Sequence, residues 1–156
     1  MTSNPLPLSA PPRSVLFVCG MNSVRSPVAE RLARHLLPPS TFIASAGVQV
    51  GEPDPFVDVV LAEEGFELQE RKGRTLDDLE DDYFDLIVTL SPEAHNAALD
   101  LTRTLASEVE YWPTVDPTAT QGSREQVISA YRDMRDRLKA RILERFGLET
   151  NRMGNE

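Results

Sequence analysis

The sequence predicts an α/β protein built on a parallel sheet with helices covering both faces. Short apolar runs rich in β-branched residues alternate along the chain with longer segments of helical periodicity. The chain has 156 residues, of which 40% are hydrophobic, and this suits a single domain with one core. We predict that this domain spans residues 13–147, between flexible tails at residues 1–12 and 148–156.

The first predicted unit is a strand, a loop and a helix. Ser14–Val18 is a compact run of β-branched and aromatic residues, which is typical of a buried strand. Glycine, asparagine and two serines indicate a loop at Cys19–Ser26. Pro27 is favoured at the first position of a helix, with Ser26 as its N-cap, and Pro38 stops this helix.

The rest of the chain repeats this alternation. Further strands are predicted at Thr41–Ala46, Leu86–Leu90 and Val109–Trp112. Further helices are predicted at Phe56–Gly65, at Pro92–Leu105 with Ser91 as N-cap, and at Ser123–Phe146. Because ligands bind at the carboxyl ends of parallel strands, we expect Cys19 at the binding edge of the sheet.

Composition argues against several classes of function. The chain carries 25 acidic and 16 basic side chains, a net charge of −9 and the opposite of the balance typical for nucleic-acid binders. No apolar run approaches the length of a membrane span, and residues 1–12 do not resemble a secretory signal. With one cysteine and no disulfide framework, we expect a cytoplasmic protein. From the charge balance and the lack of a long apolar run, we expect neither nucleic-acid nor membrane partners.

The loop after the first strand carries the residues of an anion site. A loop that enters a helix presents backbone N–H groups at the positive end of the helix dipole. Arg25 adds a planar fork of donors that can hold two oxygens of one phosphate, and the same positive environment favours the thiolate of Cys19. The predicted phosphate-binding residues are Gly20, Met21, Asn22, Ser23, Val24 and Arg25.

A lone cysteine at a strand end is more often an inert buried thiol than a nucleophile. The context here favours the nucleophile: a strand precedes Cys19, Asn22 interrupts the loop, and Arg25-Ser26-Pro27 leads into a helix. One cysteine and two separated histidines, His35 and His95, make no recognisable zinc site. We therefore expect no metal and no organic cofactor.

The same string resembles the signature of low-molecular-weight protein tyrosine phosphatases, carried here by Val15–Cys19, Asn22 and Arg25–Glu30. Arsenate reductases coupled to thioredoxin share that signature and fold. The resemblance extends from Ser14 to Phe146 and includes Ser45–Gly47, Phe84–Asp85 and Asp116–Pro117. It implies a single catalytic domain with a four-stranded parallel sheet in a three-layer sandwich, doubly wound and flavodoxin-like.

The resemblance also assigns roles to individual residues. It places the general acid at Asp116, which would protonate the leaving oxygen and then activate the water that frees Cys19 from phosphate. Ser26 would donate a hydrogen bond to the thiolate, and Asn22 and Ser45 would belong to a buried polar network. From the residues alone, an Asp-Pro turn at Asp116 and a strand-end hydroxyl at Ser45 stay open as alternatives.

Three departures from the family pattern concern the substrate. Met21 stands where the loop usually carries glycine, and Arg71 stands where the polar network has a histidine. Thr118 and Ala119 stand where tyrosine phosphatases follow the acid with aromatic residues. Val24 replaces a second loop cysteine, so the chain lacks the further cysteines through which coupled reductases relay oxidation.

Three functions follow from these patterns. The leading hypothesis is a phosphatase that acts through a phosphocysteine on a phosphorylated protein, such as one bearing phosphotyrosine, or on a small aryl phosphate. The stretch Trp112–Gly122 resembles the arsenate-reductase branch, and this supports arsenate reduction with an external thiol as the alternative. A third reading is a non-hydrolytic module that binds phosphate or a phosphoprotein. The sequence makes no prediction about oligomeric state.

Overall fold

Strands and helices alternate along the chain in a computed structural model, which describes residues 11–67, 72–79, 83–102 and 106–148. The strands are Ser14–Cys19 (β1), Phe42–Gly47 (β2), Leu86–Thr89 (β3) and Glu108–Tyr111 (β4). The α-helices are Arg25–Leu36 (α1), Pro55–Ala62 (α2), Pro92–Leu101 (α3) and Arg124–Arg145 (α4). None of the helices in these ranges is both long and apolar enough to cross a membrane.

The four strands form one parallel sheet in the order β2-β1-β3-β4. The predicted four-stranded parallel sheet is therefore confirmed. The chain moves from β1 to β2 on one side and then to β3 on the other, so β1 lies where the strand order reverses. In doubly wound sheets this switch point is where loops diverge and ligands bind. Cys19 is the last residue of β1 and pairs in register with Gly47 of β2.

Helices cover both faces, as predicted. Alternate side chains of a strand point to opposite faces. Val15, Phe17 and Cys19 therefore pack in one buried cluster with side chains of α1, α2 and α4, whereas Leu16 and Val18 pack in a second cluster with α3. Burial on both faces explains why the first strand is a continuous apolar run.

The helix starts follow local capping signals, with one exception. The Ser91 side chain accepts from Ala94 N at 3.2 Å at the start of α3, and Ser123 and Gln126 form a reciprocal capping box at the start of α4. Ser26 was expected to cap α1, and this is wrong. The helix begins at Arg25 with Val24 as N-cap, and the Ser26 hydroxyl contacts Cys19 instead.

The predicted end of the second helix, at Gly65, also differs from the structure. The second helix ends at Ala62, and Gly65 lies beyond it with a φ of +88°. The third helix is described up to Leu101, and its predicted end at Leu105 lies outside the described residues, as do residues 1–10 and 149–156. The flexibility of the two tails stays a prediction.

Helix α4 packs on the sheet through its predicted apolar side. Ile128, Tyr131, Met134, Leu138, Ile142 and Leu143 are all buried. Arg135 is buried too, which the pattern did not predict. Its guanidinium donates to Val60 O at 2.8 Å and pairs with Glu63 at 2.9 Å, so it ties α4 to the end of α2. This tie matters for function because the start of α2 lines the cavity described next.

Candidate active site

The loop between β1 and α1 is held in a tight curl by hydrogen bonds to the segment after β2. Val48 N donates to Cys19 O at 3.1 Å, Gln49 N to Gly20 O at 2.8 Å and Gly51 N to Met21 O at 2.8 Å. Asn22 takes a left-handed backbone conformation with a φ of +53°, which asparagine tolerates better than most residues. The predicted phosphate-binding segment is thus a curled loop that runs into the N-terminus of α1.

Cys19 has a hydroxyl group as its neighbour. Its side chain is only 2% exposed, and its Sγ lies 3.0 Å from Ser26 Oγ. Asn22 Nδ2 donates to the same Ser26 oxygen at 2.9 Å. A thiolate has no proton to give, so in that state the Ser26 hydroxyl is the donor of the Cys19–Ser26 hydrogen bond. This arrangement can stabilise negative charge on the sulfur.

Asn22 is the centre of a buried polar network behind the loop. Besides Ser26, its Nδ2 donates to Ser45 Oγ at 3.1 Å, and its Oδ1 accepts from Arg74 N at 2.9 Å. Ser45 in turn donates to Glu30 Oε1 at 2.5 Å, and Glu30 pairs with Arg34. The network ties the loop to α1, to β2 and to the segment before Thr75. Satisfied buried networks of this kind hold a backbone in one conformation.

The sequence patterns only partly identified this network. Ser45 was predicted as a supporting residue, but Glu30 entered only as part of a family signature and Arg74 was not predicted to belong to the network. Arg71, expected at the network's histidine position, lies outside the described residues. Arg74 contributes its backbone N–H and donates from Nε to Ser45 O at 3.2 Å.

Arg25 and Asp116 approach each other across the site. Arg25 Nη1 donates to Thr114 O at 3.0 Å, and Nη2 lies 3.9 Å from Asp116 Oδ2. The Arg25 side chain is mostly buried, at 14% exposed, whereas that of Asp116 is 46% exposed. The carboxylate also accepts from Thr118 N and Thr118 Oγ1, at 3.0 and 2.7 Å. The Asp-Pro segment is therefore a turn whose acid also faces the arginine.

Six of the predicted site residues line one cavity of about 520 Å³. Cys19, Met21, Ser23, Val24, Arg25 and Asp116 all line it. Asn22 points inward instead, and Gly20 faces α3, where a Cβ would lie 2.7 Å from Glu93 Oε1. A second cavity of about 580 Å³ lies between the Asp116 loop and α4, but neither Cys19 nor Arg25 lines it.

The far wall of the Cys19 cavity was missed by sequence reasoning. It consists of Gly51–Phe56 together with Val127 and Tyr131 of α4. Tyr131 Oη donates to Asp54 Oδ2 at 2.6 Å, and burial together with this hydrogen bond raises the pKa of Tyr131 above its usual range. The available signal was positional: the loop before α2 follows β2, so it lies at the same edge of the sheet as Cys19.

A parallel α/β fold with a cysteine and an arginine in one loop at the switch point matches a known family. The model for "Low molecular weight phosphotyrosine protein phosphatase" matches residues 14–146, and the chain belongs to this family. The matched region includes all four strands and all four α-helices described above.

The similar proteins include both arsenate reductases and tyrosine phosphatases. An arsenate reductase of Halalkalibacterium halodurans is 28% identical over 128 residues, which cover 82% of this chain and 91% of that protein. An arsenate reductase structure from Archaeoglobus fulgidus is 30% identical with a TM-score of 0.66, covering 85% and 98%. The tyrosine phosphatase Wzb from Escherichia coli K30, in complex with sulphate, is 25% identical with a TM-score of 0.68, covering 85% and 97%.

Proposed function

We propose that this protein is a phosphatase that hydrolyses phosphomonoesters through a phosphocysteine, with phosphotyrosine or small aryl phosphates as its substrates. The observation that carries the proposal is that Cys19, Arg25 and Asp116 line one cavity at the carboxyl end of β1. A nucleophile, an oxyanion-binding fork and an acid are the three groups that phosphate transfer to a cysteine requires.

In the first step the loop and Arg25 hold the phosphate while the Cys19 sulfur attacks phosphorus. A sulfur–phosphorus bond forms, the bond from phosphorus to the leaving oxygen breaks, and the proton of Asp116 passes to that oxygen. The 3.9 Å separation of Arg25 Nη2 and Asp116 Oδ2 supports this division of roles, since it places the acid beside the group that would hold the phosphate.

In the second step water attacks the phosphorus of phosphocysteine. Asp116, now a carboxylate, accepts a proton from the water, and the Cys19 thiolate leaves as inorganic phosphate forms. The Ser26 hydroxyl, 3.0 Å from the sulfur, stabilises the departing thiolate by a hydrogen bond. Asn22 and Ser45 support this geometry through their hydrogen bonds behind the loop.

Hydrolysis of 4-nitrophenyl phosphate tests the proposal. The unchanged protein should release nitrophenol with repeated turnover and form a phosphocysteine, whereas Cys19→Ser should not turn over. Ser129→Ala, at an exposed position of α4, is the matched control and should retain full turnover. Equal hydrolysis by the Cys19→Ser variant would rule out the phosphocysteine.

Arsenate reduction with an external thiol is the second candidate, and the curated arsenate reductase that is 28% identical supports it. The Cys19 sulfur would attack arsenic with loss of water. An external thiol would then attack the Cys19 sulfur, which releases arsenite and leaves a mixed disulfide, and a second thiol would restore Cys19. Each arsenate would consume two thiols, because arsenic gains two electrons.

The two candidates are separated by running arsenate beside the aryl phosphate. Arsenate-dependent oxidation of glutathione or reduced thioredoxin, together with a mixed disulfide on Cys19 seen by mass spectrometry, would support reduction. If neither thiol oxidation nor a mixed disulfide is seen while the phosphate ester is still hydrolysed, arsenate reduction is rejected and the phosphatase proposal stands.

A further inference from the structure

The segment from Asp116 to Ala119, here called the acid loop, offers no aromatic side chain to a substrate ring. The two residues after Asp116–Pro117 are Thr118 and Ala119. Thr118 Oγ1 is turned towards Asp116 Oδ1 at 2.7 Å, so this side chain serves the acid. If aryl phosphates are the substrates, the ring must be recognised by another part of the cavity.

Two aromatic rings from other elements line the same cavity. Phe56 belongs to the first turn of α2 and Tyr131 to α4. Their ring centroids are 5.2 Å apart and the planes are inclined by 40°, which is within the range of favourable aromatic pairs. Tyr131 is only 2% exposed, whereas Phe56 is half-buried. Phe56 is therefore the ring that a ligand can reach.

One carboxylate sets the position of both rings. Asp54 Oδ1 accepts from Phe56 N at 2.9 Å and thereby caps α2, and Asp54 Oδ2 accepts from Tyr131 Oη at 2.6 Å. A ring that is backed by a buried neighbour and attached to a capped helix loses little conformational entropy when a ligand binds. Met21, which is 46% exposed, adds a flexible apolar contact on the loop that holds the phosphate.

We propose that Phe56 is the residue that contacts the aromatic leaving group and sets a preference for aryl over alkyl phosphates. This inference rests on the proposed phosphatase site, since the phosphate group of the substrate holds the attached substrate ring in the cavity. The aromatic contact that the acid loop lacks is thus supplied from α2, with Tyr131 as a positioning residue behind it.

Arg124 approaches the same ring from the exposed start of α4. Its guanidinium carbon lies 5.7 Å from the Phe56 centroid. Exposed cation–π contacts of this kind are weak, and the Arg124 side chain is free to move aside for a substrate ring. Removal of Arg124 therefore distinguishes a role for the phenyl ring from a role for the cation above it.

Phosphonate binding tests the inference without any turnover. In a Cys19→Ser background, isothermal titration should show tighter binding of benzylphosphonate than of methylphosphonate. Adding Phe56→Ala should lower the affinity for benzylphosphonate by about three- to tenfold, which corresponds to the loss of one aromatic contact. Methylphosphonate affinity should be unchanged, which also shows that the phosphate site still folds. Phe56→Trp should retain the preference, and so should Arg124→Ala.

The outcomes separate the inference from the proposed function. Equal losses for the two phosphonates, no loss with Phe56→Ala, or a loss of preference with Arg124→Ala would overturn the role of Phe56. Turnover of alkyl and aryl phosphates with equal kcat/KM would overturn it as well. A Phe56-dependent benzyl preference in a protein that hydrolyses no phosphate ester would instead uphold the subsite and reject the phosphatase.

Discussion

The Ser26 hydroxyl lies 3.0 Å from the Cys19 sulfur and is held there by a 2.9 Å hydrogen bond from Asn22. Asn22 is fixed in turn by Ser45 and by the backbone of Arg74. Rotation of the Ser26 side chain would therefore break a buried network, while its hydroxyl proton has Ala46 O, 3.3 Å away, as a second acceptor. In the proposed mechanism, a donor in this position matters most when the thiolate departs from phosphorus.

Ser26→Ala should slow the hydrolysis of phosphocysteine more than its formation. Hydrogen bonds to charged groups contribute about 1.5–3 kcal/mol, so the second step should fall by roughly 10- to 100-fold. Rapid mixing with 4-nitrophenyl phosphate should then show a larger burst of nitrophenol before a slower steady state. Parallel losses in both phases would contradict a specific role in thiolate departure, and Ser129→Ala provides the control.

Asp116→Asn should remove the proton donor while leaving the turn in place, since an amide oxygen can still accept from Thr118. We expect a loss of about 10²–10⁴-fold with phenyl phosphate, whose leaving group needs a proton. The loss should be much smaller with 4-nitrophenyl phosphate, whose leaving group does not. A series of substituted phenyl phosphates measures this dependence, and a uniform loss across the series would argue against an acid at this position.

Gly47→Ala should disrupt the phosphate loop from behind. A Cβ at Gly47 would lie 2.7 Å from Asn22 N and 2.9 Å from the carbonyl carbon of Met21, and both are backbone atoms that cannot move cheaply. We expect nearly complete loss of activity and a destabilisation of about 1–3 kcal/mol, as is usual for overpacking. Thermal unfolding and hydrolysis measured together check this.

Gly65→Ala is the matched control for that variant. Gly65 has a φ of +88°, so alanine there is strained, but its Cβ would meet nothing within 4 Å and the position lies beyond the end of α2. Stability should fall by about 1 kcal/mol with kcat unchanged. Similar activities for the two glycine variants would contradict the proposed clash with the loop.

Glu63→Gln should weaken the contact between α2 and α4 in a pH-dependent way. Hydrogen bonds from Arg132 and Arg135 lower the pKa of Glu63. A carboxyl group whose pKa is lowered in the folded state stabilises the protein when the pH is above its ordinary pKa of 4.5. That stabilisation is lost as the pH falls through the folded-state pKa. The melting temperature of the variant should therefore lie a few degrees below that of the parent at pH 7, and the gap should close as the pH falls below the ordinary carboxyl value of 4.5.

Glu125→Gln is the control for charge alone. Glu125 pairs with Arg132 but is 75% exposed, and exposed ion pairs contribute little. Its melting temperature should match that of the parent at both pH values. A gap for Glu63→Gln that stays constant with pH would mean that its ionisation does not matter for the α2–α4 contact.

Some of these features are visible in the sequence because their causes are local. The apolar run before Cys19, the residues of its loop and the proline after it are neighbours in the chain, and together they specify a strand, a turn and a helix. Ser91 and Ser123 cap their helices through contacts three residues away. Ser26 shows where local reasoning ends, because its hydroxyl bonds to Cys19 across the loop and does not cap the helix.

The sequence by itself determined the order of strands and helices, the loop from Cys19 to Arg25 and the candidacy of Asp116. Only the tertiary structure decided what surrounds them. Phe56 and Tyr131 lie far apart in the chain, and they meet in the Cys19 cavity because α2 and α4 pack against each other. The local alternation of apolar and polar residues does not show which distant segments will meet. The contact between Phe56 and Tyr131 depends on how α2 and α4 pack on the sheet.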